Sequence, residues 1–383
     1  MKIVIDGRLY GLENAGLGRY LINLVSEIAK IDSNDEFVLL LRKKYFDSLN
    51  LPSNWKKVVA DFRHYSLTEQ IKLPGLIKKE KPDLVHFPHF NVPIFYNRPY
   101  VVTIHDMLMH QFSGLSASTL PGPFYYLKKI AYKYVFQKAV TLSVKIIVPS
   151  NAVAGELVKY YKIPESKIKT IYEGSDEKIG TLSWGKMENP YFVYAGNAYP
   201  HKNLTRLVEA MVALNKQRLA KSEFGKESDK KVVLFIASAR NVFVGRLEKI
   251  IEKLKASEFV KLSGFVPDEK LGSLFKNSLG FVFPSLSEGF GLPGLEAMNS
   301  GTILLASEIP VFREVYGKHA IYFNPLDFSS IEKAMKNVIE MDPKTRKERI
   351  EEAQEFSKRY SWTKMAKETF KIYEDSFGIR QSK

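Results

Sequence analysis

In Phe283–Met298 (FPSLSEGFGLPGLEAM) two carboxylates, Glu288 and Glu296, stand on either side of a turn holding Gly289 and Gly291. Carboxylates accept hydrogen bonds in pairs and so suit vicinal hydroxyls, the groups a sugar presents. Glycines let main-chain amides close around an anion, and Pro293 in the first turn of a following helix leaves that helix's free N–H groups facing it. A diphosphate with a sugar at each end would use all of these. For Glu296 alone, complementing the helix dipole is the simpler use, but it accounts for neither Glu288 nor the glycines.

Three other segments carry groups of this kind. Lys202, in Tyr194–Asn203 (YAGNAYPHKN), is spaced to hold an ammonium against a phosphate at a helix N-terminus. The alternative is an exposed lysine on a helix capped by Asn203. His105, in Thr103–Asp106 (TIHD), ends an apolar run, where an imidazole can donate to a substrate oxygen; the His-Asp pair could instead cap the next element. Gly16 and Gly18, in Tyr10–Arg19 (YGLENAGLGR), allow close approach of backbone to an anion, though a tight turn would use them too. That loop lacks the GxGxxG spacing and the ribose-binding acid of a dinucleotide site. His86 and His89 have the spacing of a metal-ligand pair without a supporting carboxylate, so structural histidines are expected there.

The elements that must position these groups alternate short apolar runs with amphipathic stretches, the pattern of a parallel α/β sheet. Strands are predicted at Lys2–Asp6, Phe37–Leu41, Leu84–His86, Val101–His105 and Lys145–Pro149. After a polar stretch near Lys178–Asn189 the alternation restarts at Tyr191, with strands at Lys231–Ile236, Val260–Ser263, Gly280–Phe283, Thr302–Ala306 and Ala320–Phe323. Helices are predicted at Gly18–Ile31, Tyr125–Thr141, Leu204–Leu214, Arg246–Lys255, Asp268–Asn277, Leu292–Ser300, Ser329–Met341 and, as one long helix, Glu351–Phe377. Two Rossmann-like α/β domains facing a central cleft are the expected architecture: residues 1–184, residues 185–360, and a C-terminal segment 361–383 crossing back to the first domain. Ligands of such sheets bind beyond the carboxyl ends of the strands, where the residues named above fall.

The 383 residues contain no cysteine, which excludes disulfide frameworks, thiolate nucleophiles and iron–sulfur sites. No apolar run has the roughly 20 residues that span a bilayer, and the N-terminus lacks a signal-peptide core, so a cytoplasmic protein is expected. The net charge of +15 divides into +8 for residues 1–180 and +7 for the rest, which argues against a basic tail and names no partner. Met107–Tyr126 is rich in apolar and aromatic residues, and Lys128, Lys129, Lys133 and Lys138 follow it. Together they fit contact with an anionic membrane face, against the alternative of domain core beside a solvated surface.

At Ser287–Met298 the sequence resembles the retaining glycosyltransferases of family 4, with the E-x7-E signature and Gly294 at its variable position. The resemblance runs through AGLGRY, VVTIHDM, VPSNAVAGEL, YAGNAYPHKNL and SGFVPDEKL, covers essentially the whole chain, and is closest to mannosyltransferase-type members. It implies the GT-B fold and a front-face, metal-independent transfer of a hexose from a nucleotide diphosphate sugar, with mannose from GDP-mannose the best expectation, to a glycan or lipid-linked acceptor. No cofactor is implied. Carried onto this sequence, Glu288 would hold donor-sugar hydroxyls and Glu296 the ribose. Lys202 and the amides of Gly289, Phe290, Gly291 and Leu292 would bind the diphosphate, and backbone near Phe265 and Val266 the base. Gly16 and Leu17 would close on the donor phosphate, and His105 would sit beside the anomeric carbon. Asn197 stands where many members have arginine, and His201 where arginine is common, leaving one firm cation with His201 a pH-dependent second. An epimerase or a phosphorylase with a similar two-domain cleft, and a polyanion-binding protein, are the alternatives; none accounts for Glu288 and Glu296 around the glycine turn.

Overall fold

Thirteen strands, all paired in parallel, make two sheets in a computed structural model that describes every residue except 32, 113–121, 176–179, 181, 186, 221–229, 240, 382 and 383. The first sheet holds β1 (Lys2–Asp6), β2 (Glu36–Leu41), β3 (Trp55–Val59), β4 (Leu84–Phe87), β5 (Tyr100–Thr103), β6 (Lys145–Val148) and β7 (Ile168–Thr170). Its strand order is β3-β2-β1-β4-β5-β6-β7. The second holds β8 (Tyr191–Ala195), β9 (Val233–Ala237), β10 (Val260–Gly264), β11 (Gly280–Phe283), β12 (Leu304–Ser307) and β13 (Ala320–Phe323), in the order β10-β9-β8-β11-β12-β13. Each is a doubly wound sheet whose order reverses beside its first strand, between β1 and β4 and between β8 and β11.

Central strands read as unbroken apolar runs because helices cover both faces: Ile3, Val4 and Ile5 of β1 and Leu39 to Leu41 of β2 are fully buried. Beneath them Leu73 and Ile77 of the helix Leu67–Lys79, and Tyr132 and Phe136 of the helix Gly122–Leu142, join Val85 and Phe87 of β4 in one cluster.

Four expectations need adjustment. β3 and β7 escape the sequence pattern because one is a half-exposed edge with two lysines and the other has three residues. The first helix begins at Ala15, ahead of the expected Gly18, and runs to Ile28. The long helix over Glu351–Phe377 is two, Pro343–Ser357 and Trp362–Gln381, interrupted where the Tyr360 hydroxyl donates to the Val315 carbonyl at 2.7 Å. The chain forms two compact units, changing from the first to the second after Gly174 and back after Tyr360, with the described part of Leu108–Thr119 grouped in the second. The stretch before 184 bonds within the second unit: Asn299 donates to Ser175 Oγ at 2.7 Å, and Leu182 N to the Glu269 carbonyl at 2.9 Å. Much of Met107–Tyr126 and of the Lys/Glu-rich Lys216–Lys231 lies outside the described residues.

Candidate active site

In the second unit the loops after β8 and β11 meet at the reversal of strand order. The loop after β8 turns at Gly196 (φ 147°), where a Cβ would stand 2.9 Å from Tyr194 Oη. That hydroxyl donates to the Asn197 carbonyl at 2.6 Å, and Asn197 Oδ1 accepts from Tyr199 N at 3.3 Å. A 3-10 turn follows at Pro200–Lys202, and Leu286 N, from the other loop, donates to the His201 carbonyl at 2.8 Å. These bonds bring Lys202 Nζ to 2.5 Å from Glu288 Oε1, both side chains about nine-tenths buried. The ammonium also lies 5.5 Å from the centroid of the Phe283 ring. Asn203 does not cap the next helix. Its backbone is left-handed (φ 59°), and its amide donates to the carbonyls of Pro284 and Pro325 at 3.0 and 2.7 Å, tying the turn to the β11 loop.

The second loop enters the helix Leu292–Asn299 through Gly291, left-handed at φ 104°. Tyr316 Oη donates to the Gly291 carbonyl at 2.6 Å, and a Cβ on Gly291 or Gly294 would meet that oxygen at 2.2 or 2.3 Å. Gly294, the residue at the signature's variable position, is therefore the space in which Tyr316 holds the turn. Phe290 packs its ring 5.5 Å from that of Tyr360, and of residues 289–292 Gly289 is partly exposed while the other three are buried. Glu296 is buried and lies just past the first turn of the helix, where an acid best complements the dipole. Burial, with the charge of Glu288, pushes the Tyr194 and Tyr316 hydroxyls well up, so both stay donors. Burial also lowers His201 to about 4, helped by Lys202 and opposed by Glu288, so its ring is neutral at pH 7. Phe265 and Val266 follow β10, at the sheet's edge; Phe265 is largely exposed and Val266 buried.

In the first unit Gly16 and Leu17 are the second and third residues of the helix Ala15–Ile28, among its unpaired amides, and a Cβ on Gly16 would meet nothing within 4 Å. Gly18 serves packing instead: a Cβ there would fall 1.8 Å from the Gly11 carbonyl oxygen. His105 sits in the loop after β5 rather than in the strand. Its Nδ1 lies 3.1 Å from Glu173 Oε1, its Nε2 3.1 Å from the Pro88 carbonyl, and the Tyr20 ring packs edge-on against it at 4.7 Å. Both partners are acceptors, so each ring nitrogen faces an oxygen that can take an N–H. Sequence reasoning missed Glu173, a buried carboxylate whose only signal was Glu-Gly after β7. His86 is structural as expected, bridging Tyr373 Oη at 2.6 Å and Thr103 Oγ1 at 2.8 Å. Among the described residues no group of three His, Asp or Glu could hold a metal.

The structure thus assembles Asn197, His201, Lys202, Glu288 to Leu292 and Glu296 around one strand reversal. Residues 183–356 match the family model described as glycosyl transferases group 1, and residues 15–178 the one described as glycosyltransferase family 4. The O-antigen chain mannosyltransferase RfbU of Salmonella typhimurium is 26% identical over 351 residues, 88% of this chain and 90% of the relative. O-antigen chain mannosyltransferase B of Escherichia coli is 23% identical over 401 residues, covering 97% and 99%. Among solved structures, sucrose-phosphate synthase from Thermosynechococcus elongatus superimposes with a TM-score of 0.76 at 15% identity, over 99% and 100% of the two chains. Anabaena HepE, solved with UDP and glucose, gives 0.72 at 17%, over 98% and 100%.

Proposed function

Because this chain belongs to the group 1 and family 4 glycosyltransferases and has the GT-B fold, we propose that it transfers mannose from GDP-mannose to a hydroxyl of a glycan or lipid-linked acceptor, with retention and without a metal. The observation that carries this reading is the buried Lys202–Glu288 pair beside the amides of residues 289–292. Without ligand the two charges neutralise each other; a diphosphate would compete for the ammonium and free the carboxylate for sugar hydroxyls. As the glycosyl–phosphate bond breaks, charge grows on the diphosphate, and an oriented ammonium and helix amides gain strength with it. They supply the positive end that a metal would otherwise provide. The leaving phosphate is then the base for the acceptor proton, with His105 steadying the sugar. The mannosyltransferase names of the relatives support the choice of sugar.

Calorimetric titration with GDP, UDP and ADP, followed by transfer assays with their sugars with and without EDTA, tests the donor and the metal. Preference for UDP-glucose overturns the donor choice, and near-wild-type transfer by both Lys202→Ala and Glu288→Gln overturns the site.

An anionic membrane face is part of the same reading. On the helix Gly122–Leu142 the side chains of Phe124, Tyr126, Leu127, Ile130 and Tyr134 are all more than half exposed, interleaved with lysines. Lys128 Nζ lies 5.7 Å from the ring centroid of Tyr65, which adds the exposed Tyr65 and Leu67 to the patch. Exposed apolar groups with cations between them suit lipid headgroups.

A further inference from the structure

Strand alternation sorts the end of β5 into two faces. Val102 and Ile104 join Val85 and Phe87 of β4 in the apolar cluster on one side of the first sheet. Thr103, His105 and His86 therefore belong to the other side, toward the helices Ala15–Ile28 and Trp362–Gln381. A chain of polar groups runs there. Tyr373 Oη lies 2.6 Å from His86 Nδ1, His86 Nε2 lies 2.8 Å from Thr103 Oγ1, and Thr103 Oγ1 lies 3.2 Å from Tyr20 Oη. Thr369, one turn before Tyr373, also bonds the Tyr20 hydroxyl. All five side chains lie in the first unit, and none is more than 2% exposed. Groups so buried cost stability unless each finds a partner, and these do.

Burial, with the charge of His105 and against that of Asp6, lowers His86 to about 3, so at neutral pH its ring has one N–H and one bare nitrogen. The chain therefore has a direction. Either Nδ1 donates to Tyr373 and Nε2 accepts from Thr103, whose oxygen accepts from Tyr20, or every bond runs the other way. In both orders each group fixes the next, and the rotamers of all four are set together. The chain ends on His105. Glu173 Oε1 and the Pro88 carbonyl stand at its two ring nitrogens, and the Tyr20 ring closes another side, centroids 4.7 Å and planes 82° apart.

We propose that Tyr373, on the C-terminal helix, is a positioning residue for transfer, fixing the His105 imidazole through His86, Thr103 and Tyr20. The proposal rests on the reading that His105 steadies the sugar, and adds that the C-terminal helix sets its geometry. Tyr373→Phe removes one hydroxyl and keeps the ring that packs 5.5 Å from His86. Thr103→Val breaks the chain in its middle. In protein carrying isotope-labelled histidine, with the His105 ring resonance assigned by its loss in His105→Ala, both variants should move that resonance and leave that of His319, in the second unit, in place. With GDP-mannose, kcat should fall about tenfold at unchanged Km, within the roughly 10²-fold that a 1 Å misplacement costs. Tyr373→Phe/His105→Ala should be no slower than His105→Ala alone. Thr363→Ala, which removes an exposed hydroxyl bonded to Glu27 from the same helix, should change neither readout. A His105 resonance unmoved in both variants, or a loss that adds in full to that of His105→Ala, overturns the proposal. Wild-type transfer by His105→Ala, with the resonance still moved by Tyr373→Phe, sinks the role given to His105 and leaves the coupling standing.

Discussion

Lys202 and Glu288 are each nine-tenths buried, so removing one strands the other. Lys202→Ala should lower transfer by about 10²–10³, the cost of losing one oriented stabiliser of developing charge. It should also lower the thermal midpoint, which Lys202→Ala/Glu288→Gln restores without restoring transfer. Tyr316→Phe removes the hydroxyl that holds the Gly291 carbonyl and should cost about 1 kcal/mol of stability while raising the Km for nucleotide sugar. Denaturant titration and initial rates check both. Glu173→Gln keeps the shape beside His105 but replaces a charged acceptor by a neutral one. A fall in kcat at unchanged donor affinity is expected, and an unchanged kcat would reduce Glu173 to packing. Glu288, Lys202 and the glycine turn were legible because carboxylate, ammonium and amide each announce their chemistry. The ion pair was not, since its partners lie 86 positions apart and meet only when β8 and β11 become neighbours.

Elements carry a different kind of information. Buried strands such as β1, β8 and β11 stand out as apolar runs because both faces are covered. β3, with WKKVV on an edge, does not, and neither does the stop between Ser357 and Trp362, where no glycine or proline marks the break. Gly18 shows the same limit: its type suggested ligand approach, and its neighbour turned out to be the Gly11 carbonyl. Gly18→Ala should therefore push the helix Ala15–Ile28 off that loop and destabilise by about 1–3 kcal/mol, measurable by urea denaturation. The neighbouring Gly16→Ala, with open space at its Cβ, should leave stability nearly unchanged.

For the whole molecule, acid should be the sensitive direction. Burial lowers His86 and His89 to about 3, with the charge of His105 adding to it, and His201 to about 4. Each is neutral when folded and takes up a proton near 6.5 when unfolded, so the unfolded state binds more protons between those limits. Stability should be flat from pH 7 to about 9, fall above about 10 where the buried tyrosines ionise only on unfolding, and fall as pH drops below about 6.5, by up to roughly 1.4 kcal/mol per pH unit for the fully buried His86. A denaturation midpoint that held from pH 7 to 4 would contradict this, and His86→Gln should flatten the slope. The charge of +15 makes its own prediction: flotation with anionic liposomes at low salt, weakened by salt and by Ile130→Ser, and no flotation at any salt would remove the membrane contact.

Composition and pattern alone determined that the chain is α/β, that its strands are parallel, and that a glutamate–glycine–glutamate turn follows one of them. These follow from local chemistry: apolar runs need cover on both faces, and small residues, carboxylates and lysine keep their character wherever they are placed. Tertiary structure decided which groups face each other. The register of β8 against β11 pairs Lys202 with Glu288, the room left at Gly294 admits Tyr316, and the β1–β4 reversal sets Arg8 between two carboxylates. Such meetings depend on distances across a sheet, and spacing along the chain does not encode them.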